Sequence, residues 1–149
     1  MATALPMLLL LLAVAQPVER PPVVSDSRFF AMDGGQSELR ETSTIPLRTG
    51  QCYGWALRVE PEERNVSIRE VFELPAPGNW NVSAENEASA VSRNQRTAVT
   101  EFQAPLGAGV ITHSWCVAEG DPAGPHRIRV YHGETLLQDF HFTLVPETR

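Results

Sequence analysis

Apolar and polar residues alternate with a period of two through most of this chain. From Gln51 to Glu60, Tyr53, Trp55, Leu57 and Val59 share one face, and Cys52, Gly54, Ala56 and Arg58 share the other. That is the pattern of a strand with one face buried. Val66 to Leu74 groups Val66, Ile68, Phe72 and Leu74, and Gly109 to Ala118 groups Ile111, His113, Trp115 and Val117. Further strands are predicted at Arg28 to Met32, Thr42 to Leu47, Asn79 to Ser83, Thr97 to Phe102, His126 to His132 and Leu136 to Val145. Turn residues separate them, as in Asp33-Gly34-Gly35, Pro75-Ala76-Pro77-Gly78 and Glu119 to Pro125. Pro46 assigns its strand to an edge or a bulge, because proline cannot donate to a ladder. No window has helical periodicity and no internal repeat is visible. Short strands at regular spacing predict an all-β fold, an immunoglobulin-like antiparallel β-sandwich of about 7–9 strands.

Two segments break the alternation. Met7 to Ala15 is an unbroken apolar run, well short of the roughly 20 residues that cross a bilayer. It ends in Ala13-Val14-Ala15, the small-x-small pattern that signal peptidase accepts, although no Lys or Arg precedes it. Residues 1–15 therefore read as a signal peptide, with a short buried segment or an uncleaved anchor as the alternatives. Residues 16–24 read as a linker and 25–149 as the sandwich domain. The second segment, Ala84 to Arg96, has one valine among small and polar residues and reads as a long loop. Glu85 and Glu87 make one end acidic, Arg93 and Arg96 make the other basic, and Trp80 lies just before it. These five residues are the candidate contact surface for a partner, against the alternative of a merely solvated loop.

Charge and cysteine content narrow the role. The net charge is -6, and every one of the basic residues is Arg, since the chain contains no Lys. That excludes Schiff-base chemistry and a phosphate-cradling lysine, and it fits a GC-rich bacterial genome. An acidic domain without a basic patch is a poor nucleic-acid binder, so no nucleic-acid partner is expected. The two cysteines, Cys52 and Cys116, read as one disulfide in an exported chain, with two free buried thiols as the alternative. Each lies out of phase with its apolar neighbours, which predicts a bridge between adjacent strands rather than across the core.

Thr44-Ile45-Pro46, Gly50-Gln51-Cys52-Tyr53-Gly54, Gly120-Asp121-Pro122-Ala123-Gly124-Pro125-His126 and Asp139-Phe140-His141-Phe142 together resemble a bacterial family of exported immunoglobulin-like domains of unknown function. The resemblance runs roughly from Ser25 to Val145, with Tyr53 where the family usually has Phe and His126 where it usually has Trp. It implies a periplasmic or secreted β-sandwich and carries over no catalytic residue. The cysteine pair is not part of it.

The candidates for metal chemistry are the histidines, His113, His126, His132 and His141. A two-residue Gly133-Glu134 turn would set His126 opposite His141. A register slid by one residue aligns Ile128 with Phe140 and Arg129 with Asp139, and buries Phe140 and Phe142. Burying two Phe side chains is worth several kcal/mol against about 1 kcal/mol of turn preference, so the slid register is predicted. His141 then points away from His126 and His132, which leaves no metal site. No Gly-x-Ser-x-Gly motif is present, and Glu62-Glu63 beside Pro61 reads as a solvated turn. Trp55 and Trp115 read as core. Asn65-Val66-Ser67 and Asn81-Val82-Ser83 are glycosylation sequons that matter only in a eukaryotic source. The expectation is a periplasmic or secreted, non-catalytic module without cofactor, metal or membrane anchor after cleavage, binding a protein or cell-envelope partner. The alternatives are a small-ligand or carbohydrate-binding domain and an enzyme using a His/carboxylate pocket. A groove containing Trp80 would favour the small ligand, and a flat face or free edge strand the protein.

Overall fold

A computed structural model describes residues 20–34, 37–60, 65–80, 88–104 and 109–148. The predicted signal peptide, Glu62-Glu63 and the second sequon lie outside these residues. Ten strands are described: β1 (Val23–Asp33), β2 (Glu38–Glu41), β3 (Thr44–Leu47), β4 (Cys52–Glu60), β5 (Val66–Glu73), β6 (Ala88–Val91), β7 (Thr97–Ala104), β8 (Val110–Cys116), β9 (Gly124–His132) and β10 (Thr135–Pro146). They form a four-stranded sheet, β2-β1-β4-β8, and a six-stranded sheet, β3-β10-β9-β5-β7-β6. All pairs are antiparallel except β3 with β10. No described helix is long and apolar enough to cross a membrane.

The predicted alternation holds where one face of a strand packs inward. Tyr53, Trp55, Leu57 and Val59 of β4 are buried, as are Val66, Ile68 and Phe72 of β5, and Ile111 of β8. They meet Ile128 and Val130 of β9 and Phe140, Phe142 and Leu144 of β10 in one core. Stacking of Trp55 on Phe140 and of Phe29 on Phe142 joins the sheets, with ring centroids 6.1 and 4.5 Å apart. Gly54 lets β8 lie close against β4, because a Cβ there would stand 2.5 Å from the His113 carbonyl oxygen. Pro46 occupies the edge strand β3, as expected.

The β9–β10 hairpin satisfies both arguments that compete in its sequence. His132 pairs with Thr135 across the two-residue turn, with Gly133 at φ 54°. A bulge between Leu136 and Gln138 then shifts the register, so that Ile128 faces Phe140 and Arg129 faces Asp139. One extra residue on β10 keeps the tight turn and still buries Phe140 and Phe142.

Two short strands depart from the sequence reading. β2 forms where the sequence pattern predicts no strand, and β6 occupies part of the predicted Ala84–Arg96 loop. Each is four residues long and lies at a sheet edge. β2 is exposed along its whole length, so no buried face imposes alternation on it. Asn79 and Trp80, by contrast, are not in a strand.

Candidate functional site

On the inward face of β5, the series Val66, Ile68, Phe72 is interrupted by Glu70, which is completely buried. Strand register aims three ring donors at it. Trp55 of β4 pairs with His113 of β8, and Tyr53 with Trp115, so Trp55, His113 and Trp115 all face inward from the smaller sheet. Trp55 Nε1 donates to Glu70 Oε2 at 2.5 Å, and Trp115 Nε1 donates to Oε1 at 2.7 Å. His113 Nδ1 lies 3.0 Å from Oε2 and, facing a carboxylate that accepts, carries the proton. Leaving a buried carboxylate unpaired costs several kcal/mol, and these donors offset that cost while locking three rings in place.

The smaller sheet ends at β8, while the larger continues through β5 and β7 to β6. At this border a cleft of about 630 Å³ opens to solvent. Tyr53, Phe72, Trp80, His113 and Trp115 supply its aromatic walls, and Ser89, Ser114, Glu119 and Asp121 are among its polar residues. Burial pushes the Tyr53 hydroxyl well above its usual range. Asp121 is fixed in place, its Oδ2 accepting from Ala118 N at 2.8 Å and its Oδ1 from Asn79 N at 3.3 Å.

Trp80 is half-buried. Its ring packs edge-on against Phe72 and Trp115, and its Nε1 donates to the Gln95 carbonyl at 2.8 Å. The same carbonyl accepts from Gly78 N at 2.9 Å. Gln95 holds it there from φ 55°, a left-handed conformation uncommon for a side chain of this kind. Among the described residues, the turn after β6 is thus tied to Trp80 through backbone. Arg93 and Arg96 on that turn are exposed and do not line the cleft. Arg96 Nε donates instead to the Leu74 carbonyl at 3.4 Å. Glu85 and Glu87 lie outside the described residues.

Cys52 and Cys116 form a disulfide directly across the β4–β8 pair, with Cα atoms 3.9 Å apart. The bridge joins adjacent strands, as the phase of the cysteines predicts, and Cys116 sits on the cleft rim. The other histidines are scattered. His126 is buried with Nδ1 on the Gly124 carbonyl, and burial lowers its pKa. His132 meets the Ser67 carbonyl and His141 meets Asp139. No group of three or more His, Cys, Asp or Glu among the described residues could hold a metal ion.

Sequence reasoning missed Glu70 and its three donors. The available signal was phase: Glu70 is the one charged residue in register with Val66, Ile68, Phe72 and Leu74. A charge on the apolar face of a central strand requires partners from the opposite sheet.

Among solved structures, an immunoglobulin-like protein of Pseudomonas aeruginosa matches with a TM-score of 0.58 and 14% identity, over 85% of this chain and 98% of that one. No curated protein matches the chain. Residues 27–145 match the PM0630 beta sandwich domain, most of the chain, and the protein belongs to that β-sandwich family.

Proposed function

We propose that this protein is an exported, non-catalytic β-sandwich domain that binds a small ligand in the cleft beside β8. The observation that carries this reading is a concave site containing Trp80 and Trp115, with rings braced by Phe72 and by Glu70 behind. Pockets with aromatic walls and a few fixed polar groups are where small molecules bind. The disulfide supports an oxidising compartment. Titrating the purified protein with a chemically mixed fragment set while following tryptophan fluorescence tests the reading. Saturable quenching that disappears in Trp80→Ala supports it, and a flat response across the whole set sinks it.

A protein or cell-envelope partner is the second reading. It is favoured by β8 ending its sheet, an edge to which an extended segment could add. Capture of a partner that survives Trp80→Ala and is lost when Ser114 is replaced by Pro would favour this edge over the cleft. The His113–Glu70 pair is also the arrangement of an oriented general base. Turnover of a bound ligand that His113→Phe abolishes would make the domain an enzyme.

A further inference from the structure

The walls of the cleft differ from a stacking platform. Trp80 stands at 78° to Trp115 and at 88° to Phe72, with centroids 5.8 and 5.4 Å away. Crossed rings make a corner that suits a compact group, whereas a flat sugar ring stacks best on coplanar aromatic surface. The charge lining the cleft is also one-sided, and several of its nitrogen donors are already used. Both indole N–H groups are already committed, Trp80 to the Gln95 carbonyl and Trp115 to Glu70. Asn79 Nδ2 is committed to the Glu119 carbonyl. The charged side chains lining the cleft are Glu119 and Asp121, with His113 held on Glu70, and no Arg is among the described lining residues. The nearby Arg48 is paired with Glu147. The chain as a whole carries a charge of -6.

Trp115 adds a further effect. An indole whose N–H donates to a carboxylate gains electron density on its ring, which makes its face more negative. Such a face attracts cations more strongly and anions less.

We infer that the cleft is a site for an organic cation, a compact alkylammonium group seated against Trp80 and Trp115 with Glu119 and Asp121 at its rim. The inference rests on the small-ligand reading above and specifies its chemistry. Glu70 is a positioning residue in this site, acting through Trp115 rather than touching the ligand.

The test compares choline with its uncharged isostere 3,3-dimethylbutan-1-ol on the full chain, by tryptophan fluorescence and titration calorimetry at low salt. Choline should bind saturably and about tenfold more tightly than the isostere, which corresponds to a cation–π difference of about 1.4 kcal/mol. Glu119→Gln, at an exposed position, should weaken choline about two- to threefold without changing the melting temperature or the weak binding of the isostere. Equal affinity for choline and isostere overturns the inference, as does choline binding that neither Glu119→Gln nor Trp80→Ala alters. A mixed fragment set in which sugars or carboxylates bind and ammonium compounds do not would overturn the cation assignment while leaving the small-ligand reading intact. Failure of every fragment removes both.

Discussion

The two halves of the sandwich interior are built on different physics. Where β1 and β4 cover β10, the contact is Phe29, Trp55, Phe140 and Phe142, held by ring packing. Where β4 and β8 cover β5, the contact is a carboxylate surrounded by two indoles and an imidazole. The first half maximises buried apolar area and tolerates small adjustments of shape. The second depends on directed bonds, so each ring has one permitted orientation. The difference falls where the smaller sheet stops, and there the protein places its cleft. Rigid, pre-oriented rings at an open border suit the proposed ligand site, since they would cost little further ordering on binding.

The largest effect expected from breaking this contrast is at Glu70. Glu70→Gln keeps the shape but sets an amide N–H₂ among ring donors, and should cost about 3–5 kcal/mol. Phe140→Ala should cost a similar amount, about 3–5 kcal/mol, by leaving a cavity. Urea denaturation measures both, and the indole N–H resonances separate them: Glu70→Gln shifts those of Trp55 and Trp115, which donate to the carboxylate, while Phe140→Ala leaves both bonds in place. Equal spectral shifts in both variants would erase the distinction between the halves.

Removing the disulfide comes next. Cys52 and Cys116 are 64 residues apart in sequence, and the double Ala variant should lose about 2–4 kcal/mol. Because the bridge pins β8 at the cleft rim, hydrogen exchange should rise in β8 before it rises in β9 or β10. Uniform acceleration across both sheets would argue that the bridge stabilises only the unfolded-state balance.

A smaller, pH-dependent effect belongs to His126. Its pKa is lowered in the fold from the ordinary 6.5 by burial. As pH falls below that value, the unfolded chain takes up a proton that the native state refuses, so stability declines. Above it both states are neutral and the residue contributes no slope. His126→Phe should flatten the stability profile between pH 7 and pH 5, read by denaturation midpoints. A profile of unchanged steepness would assign the acid sensitivity to other groups.

The smallest effect should lie on the outer face of the larger sheet. Arg127 grips Asp139 with two bonds of 2.9 and 2.8 Å, and this contact holds the Asp139 carboxyl below its usual range. Its contribution is present above the unfolded value of 3.8 and is lost as pH falls through the native one. The pair is partly exposed, so Asp139→Asn should cost under about 1 kcal/mol and should not alter tryptophan emission.

Legibility in the sequence followed burial of a strand face rather than position in the sheets. Strands β4, β5, β8, β9 and β10 announce themselves because one face of each packs inward and its burial forces alternation, at the edge (β8) as well as at the centre. The phase of the cysteines places their bridge between neighbouring strands. Edge strands β2 and β6 have no such requirement, so Glu38-Leu39-Arg40-Glu41 and Ala88-Ser89-Ala90-Val91 look like turns and loops. One consequence concerns the Ala84–Arg96 segment: replacing Glu85 to Gln95 with a flexible linker removes β6 and the carbonyl that holds Trp80, so it is not a neutral change.

Of the candidate contact residues, Trp80 lines the cleft, whereas Arg93 and Arg96 do not. Composition and alternation by themselves determined the all-β class, the inward faces and the adjacency of the cysteine-bearing strands, because these depend on local period and on apolar area. The partners of Glu70 were decided only in three dimensions. Trp55, His113 and Trp115 come from two strands of one sheet and Glu70 from the other, and no local period relates them. Only the stacking of the sheets brings donors and acceptor within bonding distance, and only the unequal number of strands leaves the border open.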